Sequence, residues 1–269
     1  MKVMTINTHS YIEKNSEKKL DIFVDAINRI KPDIIAMQEV NQSKDELLLK
    51  KNEHITECGI GIKTNNFAYR VLVKLNNMGN NYHLVWLGIK RGFEVFDEGL
   101  CFLSKVPIKK HKEILLSRTD DINNWKKRMA LGININDEWF YNVHFGRWDD
   151  KEESFYDQWR TFEKNISQNE KVWVMGDFNS PSDIKNEGYD LVLSGDFYDT
   201  YYLAKNKDEG YTVRGKIDGW DDKDIKKSRI DYIFTNEKYD IKSSYTIFNG
   251  KNEEIISDHF GIIIDFERE

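Results

Sequence analysis

Cysteine is almost absent from this 269-residue chain. There are two, Cys58 and Cys101, with no Cys-x-x-Cys pair and no Cys/His cluster in the sequence, which argues against a disulfide scaffold and against a structural zinc site. Proline is scarce as well, with three in all, and no Pro-, Gly- or Ser-rich linker, low-complexity stretch or short-period repeat interrupts the chain. One domain over residues 1–269 is therefore expected. No apolar run approaches the ~18 residues a membrane span needs, and no charged-then-apolar leader precedes the first strand-like segment. The expectation is a cytoplasmic protein with no membrane partner, a monomer being favoured. A surplus of positive charge is missing too: the net charge is −6 with both signs interspersed, which argues mildly against nonspecific binding to duplex DNA.

What is present is a globular composition. Hydrophobic residues make up 39% and aromatics 13%, including seven Trp, which excludes a disordered chain, while 32% charged residues imply a well-solvated exterior. The most informative stretch runs from Lys171 to Asp183. Val172, Trp173, Val174 and Met175 form a short β-prone run that stops at Gly176 and delivers Asp177, Phe178, Asn179 and Ser-Pro to its end. If the segment stays extended, Asp177 and Asn179 share one side and Phe178 faces packing. A strand-to-turn cap is the plainer reading of Gly-Asp-x-Asn taken alone.

Other segments repeat the pattern of an apolar strand ending in polar groups. Lys2 to His9 ends in Asn7-Thr8-His9. A helix follows from Ser16 through Leu20, Phe23, Val24, Ile27 and Ile30, closed by Pro32, and the next strand, Asp33 to Met37, ends in Gln38-Glu39. Strand, helix, strand at this spacing predicts a parallel pair with Asn7 beside Glu39. Asn66 to Met78 reads as a helix. Strands are expected at 83–90, 99–104, 108–116, 129–136 and 139–144 as an antiparallel meander, then a helix over Lys151 to Ser167. Further strands are expected at 171–176, 229–235, 241–248 and 260–266. Two packed sheets with helices outside fit this order. Residues 204–227 form a long polar connection of the kind that is functional or disordered.

Polar residues of catalytic type recur at these strand ends: Asn7, Glu39, His144, Asp177, Asn179, Asp231, Asp258 and His259. Each alone has a structural explanation, as a capping amide, a solvated acid or a core histidine. Together they resemble the endonuclease/exonuclease/phosphatase superfamily, through six ordered blocks: Thr5-Ile6-Asn7, Gln38-Glu39-Val40, Asn142-Val143-His144, Gly176-Asp177-Phe178-Asn179, Arg229-Ile230-Asp231-Tyr232-Ile233 and Ser257-Asp258-His259. The resemblance spans the chain. It implies an α/β (α+β) four-layer sandwich of two mixed β-sheets with helices outside, as in the deoxyribonucleases, and metal-dependent hydrolysis of phosphate esters with Mg²⁺, Mn²⁺ being the alternative ion.

Carried over by residue, the resemblance implies that Glu39 is the principal metal ligand, with Asn7 and Asp258 beside it. Asp177 orients or deprotonates the attacking water and Asn179 bonds the phosphoryl oxygens. Asp258 fixes the tautomer of His259, and Asp231 completes the acid cluster. His144 bonds the phosphoryl group or protonates the leaving oxygen, with Glu98 pairing it. Arg128 is a phosphate contact.

A nuclease of this family would need a cationic groove. Aromatics flank the motifs instead. Asn7-Thr8-His9-Ser10, Asp97-Glu98-Gly99, Asn123-Asn124-Trp125, His144-Phe145-Gly146-Arg147-Trp148, Gly215-Lys216-Ile217-Asp218-Gly219-Trp220 and Phe248-Asn249-Gly250-Lys251-Asn252 resemble the bacterial maltose 6'-phosphate phosphatase branch. The chain departs from it at Phe145 and Arg147, where the branch leads one to expect Leu and Trp, and Arg147 could grip a second phosphate. The expectation is a phosphatase acting on a small sugar phosphate, with Arg128, Arg147, Trp148 and Trp220 binding substrate. The alternative is a nuclease acting on nucleic acid.

Overall fold

A computed structural model describes residues 1–50, 52–167, 169–220 and 225–268. The first half contains β1 (Lys2–Asn7), α1 (Ser16–Ile30), β2 (Ile34–Ser43), β3 (Ile55–Thr56), α2 (Phe67–Asn77), β4 (His83–Gly92), β5 (Phe96–Ser104) and β6 (His111–Leu115). There follow β7 (Met129–Ile135), β8 (Glu138–His144), α3 (Phe155–Asn165), β9 (Lys171–Asp177), α4 (Gly188–Leu193), β10 (Tyr198–Asp199) and α5 (Thr200–Leu203). The chain ends with β11 (Asn206–Lys207), β12 (Val213–Gly215), β13 (Ile225–Ser228), β14 (Asp231–Thr235), β15 (Ile241–Ile247) and β16 (Gly261–Phe266).

Two mixed sheets carry the fold. One has eight strands in the order β11-β15-β16-β1-β2-β5-β4-β3, the other six in the order β10-β14-β9-β8-β7-β6. Side-chain alternation assigns the layers. In β2, Ile34 and Ala36 enter the cluster between the sheets, whereas Ile35 and Met37 pack under α1 and α2 with Leu20, Phe23, Val71 and Leu75. In β9, Trp173 and Met175 face the other sheet, and Val172 and Val174 pack under α3 with Trp159 and Phe162. Three apolar interfaces make a four-layer sandwich with helices outside, the architecture expected from the sequence.

The strand-helix-strand unit pairs β1 with β2 in parallel, Asn7 opposite Gln38. Two local expectations are corrected. The third helix starts at Phe155 rather than Lys151, because the Ser154 side chain caps it by accepting the Asp157 N–H at 3.2 Å and Glu153 turns back to accept the N–H groups of Arg118 and Thr119. The expected meander is divided: β6, β7 and β8 form one, but β4 and β5 belong to the other sheet, with β5 against β2. The long connection over 204–227 carries β11, β12 and the start of β13. Its residues 221–224 lie outside the described residues.

Candidate active site

Register places the polar strand ends side by side. His144 of β8 lies opposite Asp177 of β9, and Asp177 lies opposite Asp231 of β14. That approach depends on Gly176: its φ is 139°, and a Cβ there would sit 2.0 Å from the Val143 carbonyl oxygen. From the other sheet, Glu39 is turned in by a bulge. Met37 pairs with Cys101 and Val40 with Gly99, so Gln38 and Glu39 oppose Leu100 alone, and Glu39 takes φ 52°. Asn7 joins the two sheets, its Nδ2 donating to Glu39 Oε1 at 2.8 Å and to Asp177 Oδ2 at 3.1 Å. Below them buried Asn142 donates to the carbonyls of Met37 and Cys101 and accepts from Gln38.

Asn179 reaches the site by another route than an extended strand. It has φ 47°, and its N–H donates to Asp177 Oδ1 at 2.8 Å, the capping turn that Gly-Asp-x-Asn allows. Its Nδ2 donates to the Phe145 carbonyl and its Oδ1 accepts the Trp220 indole N–H at 2.9 Å. Phe178 is buried in the cluster under α3. His9, Glu39 and Asn179 are all non-glycine residues at positive φ. Such positions cost on the order of 1–3 kcal/mol each and gather where geometry serves function.

His259 faces Asp177 Oδ2 from one side with Nε2 at 3.8 Å, and His144 from another with Nε2 at 3.6 Å. The carboxylate on His259 Nδ1 is that of Asp231, at 3.0 Å, and the Asp231 backbone N–H donates to Thr212 Oγ1. Asp258 points elsewhere, toward His9 Nδ1 at 3.7 Å and the Asp218 N–H at 3.1 Å, so the pairing expected between Asp258 and His259 is corrected to Asp231. Side chains of adjacent residues diverge here, whereas β14 brings Asp231 in from across the sheet. The expected pairing of Glu98 with His144 is corrected too: Glu98 holds Lys90 Nζ at 3.1 Å, and the carboxylates near His144 are Glu39 and Asp177.

The electrostatics follow from burial and neighbours. Burial, then the charge of Glu98, raises the Glu39 pKa. Asp177 is pushed up by burial and the charge of Asp231, to about 7. Burial and the cations Arg128 and Lys90 push His144 well below the ordinary histidine range. Burial acts the same way on His259, but Asp231 and Asp177 outweigh it and raise its pKa well above that range. Burial also lowers His9, which Glu13, Asp258 and Glu39 bring up to about 9.

These groups line a cleft of about 360 Å³. Glu39, His144, Asp177, Asn179, Asp258 and His259 form its inner end, with Arg128 and Lys90 beside them. Trp125, Arg147, Asp149 and Asp150 line its more exposed end, and Trp220, 6% exposed, lines it beside Asn179.

Residues 4–259 match the profile of the Endonuclease/Exonuclease/phosphatase family. The chain belongs to that family. Its members are hydrolytic phosphoesterases, phosphatases and nucleases among them, and generally depend on a divalent metal. An endonuclease/exonuclease/phosphatase family protein from Leptotrichia buccalis C-1013-b is 32% identical over 100% of both chains, with a TM-score of 0.87. A mannosyl-6-phosphatase from Bacteroides thetaiotaomicron VPI-5482 shares the fold over 100% of both chains at 18% identity and a TM-score of 0.62. A 3' phosphatase from Neisseria, bound to a product DNA hairpin, does so over 100% of both chains at 17% identity and a TM-score of 0.66. No curated protein matches the chain in sequence.

The donor set fits the family's divalent metal. Glu39, His144 and Asp177 offer ligand atoms within 4.8 Å of one another, and Glu39, raised by burial and like charge, needs an opposite one. Asn7 turns its amide nitrogen, not its oxygen, toward Glu39, and its oxygen accepts the His9 N–H. Ligation by Asn7 therefore requires the amide to turn.

Two substrate contacts expected from the sequence fall differently. Trp148 is not part of the cleft lining; it packs on α3 against Phe155 and Tyr156. Arg147 lies over the Trp220 ring, 5.0 Å from its centroid, and is held by Asp149 through two hydrogen bonds. A guanidinium so engaged is not set to grip a second phosphate. Lys90 was missed, since a lysine in a strand reads as solvent-facing. Its only local signal is the apolar run on either side of it.

Proposed function

We propose that the protein is a divalent-metal-dependent phosphomonoesterase acting on a small sugar phosphate, with Mg²⁺ as the working metal and maltose 6'-phosphate as the first substrate to test. One observation carries the reading. Around the cleft Lys90, Lys126 and Arg147 are each bound to a carboxylate, of Glu98, Asp150 and Asp149. Among the described residues the Arg128 guanidinium, 8% exposed, is bonded only to backbone carbonyls, and its Nε has no partner. One unpaired guanidinium at the inner end suits one phosphoryl group. A polyanionic strand would want a row of free cations instead.

On this reading Glu39 would hold the metal, with Asn7 in reach once its amide turns, and the ion would supply neutralisation of phosphoryl charge, whereas Asp258 groups with His9 and Glu13 instead. Asp177, anchored by Asn7 and the Asn179 N–H, accepts a proton from the attacking water, its raised pKa lying near neutrality. His259, kept cationic by Asp231, stabilises charge on the equatorial oxygens and can pass a proton to the leaving oxygen. His144, kept neutral, serves as a hydrogen-bond donor rather than an acid. The sugar lies toward the more exposed end of the cleft, where Trp125 offers an open ring and Trp220 contributes the part of its ring that lines the cleft.

The test is phosphate release from maltose 6'-phosphate and other sugar phosphates in Mg²⁺, run beside nicking of supercoiled plasmid, with Asp177→Ala as blank. Release that vanishes in the variant while plasmid stays intact supports the reading. Nicking without release replaces it with a nuclease. Release from no sugar phosphate removes it.

A further inference from the structure

A second cluster of ligand-type side chains lies at the edge of the sandwich and lines no part of the cleft. β3 is the last strand of the eight-stranded sheet and β6 the last of the six-stranded one. Just after β3 comes Cys58, half-buried against the apolar cluster between the sheets. In β6, Ile114 packs outward under α3, so alternation turns His111 and Glu113 to the opposite face, toward the other sheet. The Cys58 thiol donates to Glu113 Oε1 at 3.0 Å, and His111 Nε2 stands 3.8 Å from the same oxygen. Sulfur, nitrogen and oxygen all lie within 4.8 Å of one another. The backbone at this edge is already joined, Thr56 Oγ1 donating to the Ile108 carbonyl at 2.8 Å.

We infer that Cys58, His111 and Glu113 form a binding site for a borderline-soft divalent transition metal of the zinc class, clamping the free edges of the two sheets together. Thiolate, imidazole and carboxylate are zinc's usual donors, with ligand distances of about 2.0–2.3 Å, so side-chain atoms already within 4.8 Å of one another need only small rotamer adjustments. Three protein ligands leave the fourth tetrahedral position to water. On binding, Sγ gives its proton to the buffer and bonds the metal as thiolate, with no change of oxidation state. Burial and the Glu113 charge hold the thiol protonated until a cation arrives. His111 and Glu113 are each about a third exposed, which gives the ion a way in. The sequence hid the site because its sulfur and carboxylate are 55 residues apart.

The test uses the full chain, stripped with a chelator and titrated with Co²⁺. The cleft cluster of Glu39, His144 and Asp177 holds no sulfur, so a near-ultraviolet sulfur-to-cobalt charge-transfer band reports the edge site alone, whatever the fate of the proposed phosphatase activity. The band should saturate by two Co²⁺ per chain, one for the cleft and one for the edge, be bleached by Zn²⁺ and vanish in Cys58→Ser. His111→Ala and Glu113→Gln should each weaken Co²⁺ binding at least tenfold. Absence of the band in the wild type overturns the inference. So does a band that survives Cys58→Ser, which would place the metal on buried Cys101, or one whose midpoint is unmoved by His111→Ala.

Discussion

His144 and His259 approach the same oxygen of Asp177 at 3.6 and 3.8 Å, and burial pushes both toward the neutral form, yet their pKa values move in opposite directions. On the His144 side the cations Arg128 and Lys90 add to burial and prevail over the nearby carboxylates Glu39 and Asp177. On the His259 side they are the carboxylates Asp231 and Asp177. Depth therefore does not set the role of a buried histidine; the sign of its neighbours does. The cleft thus has Arg128 and Lys90 beside a histidine held neutral and Asp231 beside one held cationic.

The largest effect should come from removing the acid–imidazolium pair of Asp177 and His259. Asp177→Ala and His259→Ala should each lower kcat by about 10²–10⁴-fold, with circular dichroism unchanged. His144→Ala should cost less, and an equal loss would erase the distinction between the two histidines. Next comes the metal. Glu39→Gln should raise the Mg²⁺ needed for half-maximal activity by roughly 10–100-fold. Mg²⁺ should also raise Tm more at about pH 8 than at about pH 6, because Asp177, with its pKa near 7, must be ionised to favour a cation.

Stability against pH separates the two histidines further. The His144 pKa is depressed in the folded protein, so its contribution is present above the unfolded value of about 6.5 and is lost as pH falls. The His259 pKa is raised, so its contribution is present below about 6.5 and is lost as pH rises through the folded value. His144→Asn should flatten the acid limb of a Tm-versus-pH curve, and Arg128→Ala should shift that limb, since it removes a cation that holds His144 neutral. The smallest effect sharpens the mouth against the core. Trp220→Ala should raise KM by about 2–10-fold. Trp148→Ala should lower Tm and leave KM alone, because Trp148 packs on α3.

Much of this was legible in the sequence because strand periodicity and strand-end polarity are local signals. The parallel pairing of β1 with β2 and the Asn7–Glu39 contact followed from them. Contacts made across sheets were not legible. Adjacent Asp258 looked like the partner of His259, while the actual partner, Asp231, is 28 residues away and is delivered by β14. Lys90 stayed hidden because nothing local says that a strand lysine will meet Glu98, and Trp148 misled because helix α3 covers it. Asn179 reached the site by a left-handed turn, a backbone state that side-chain alternation cannot foretell.

Asn142 has a consequence for motion. Its amide pins Met37, Gln38 and Cys101 of one sheet to a strand of the other, directly beneath a site whose carboxylates come from both. Breathing of the sandwich should therefore have its node there, with the sheets flexing at their far edges and the gap between Glu39 and Asp177 held. Amide exchange should accordingly be slowest in β2 and β8 near Asn142, and Asn142→Leu should let the two halves of the site drift apart without unfolding either sheet.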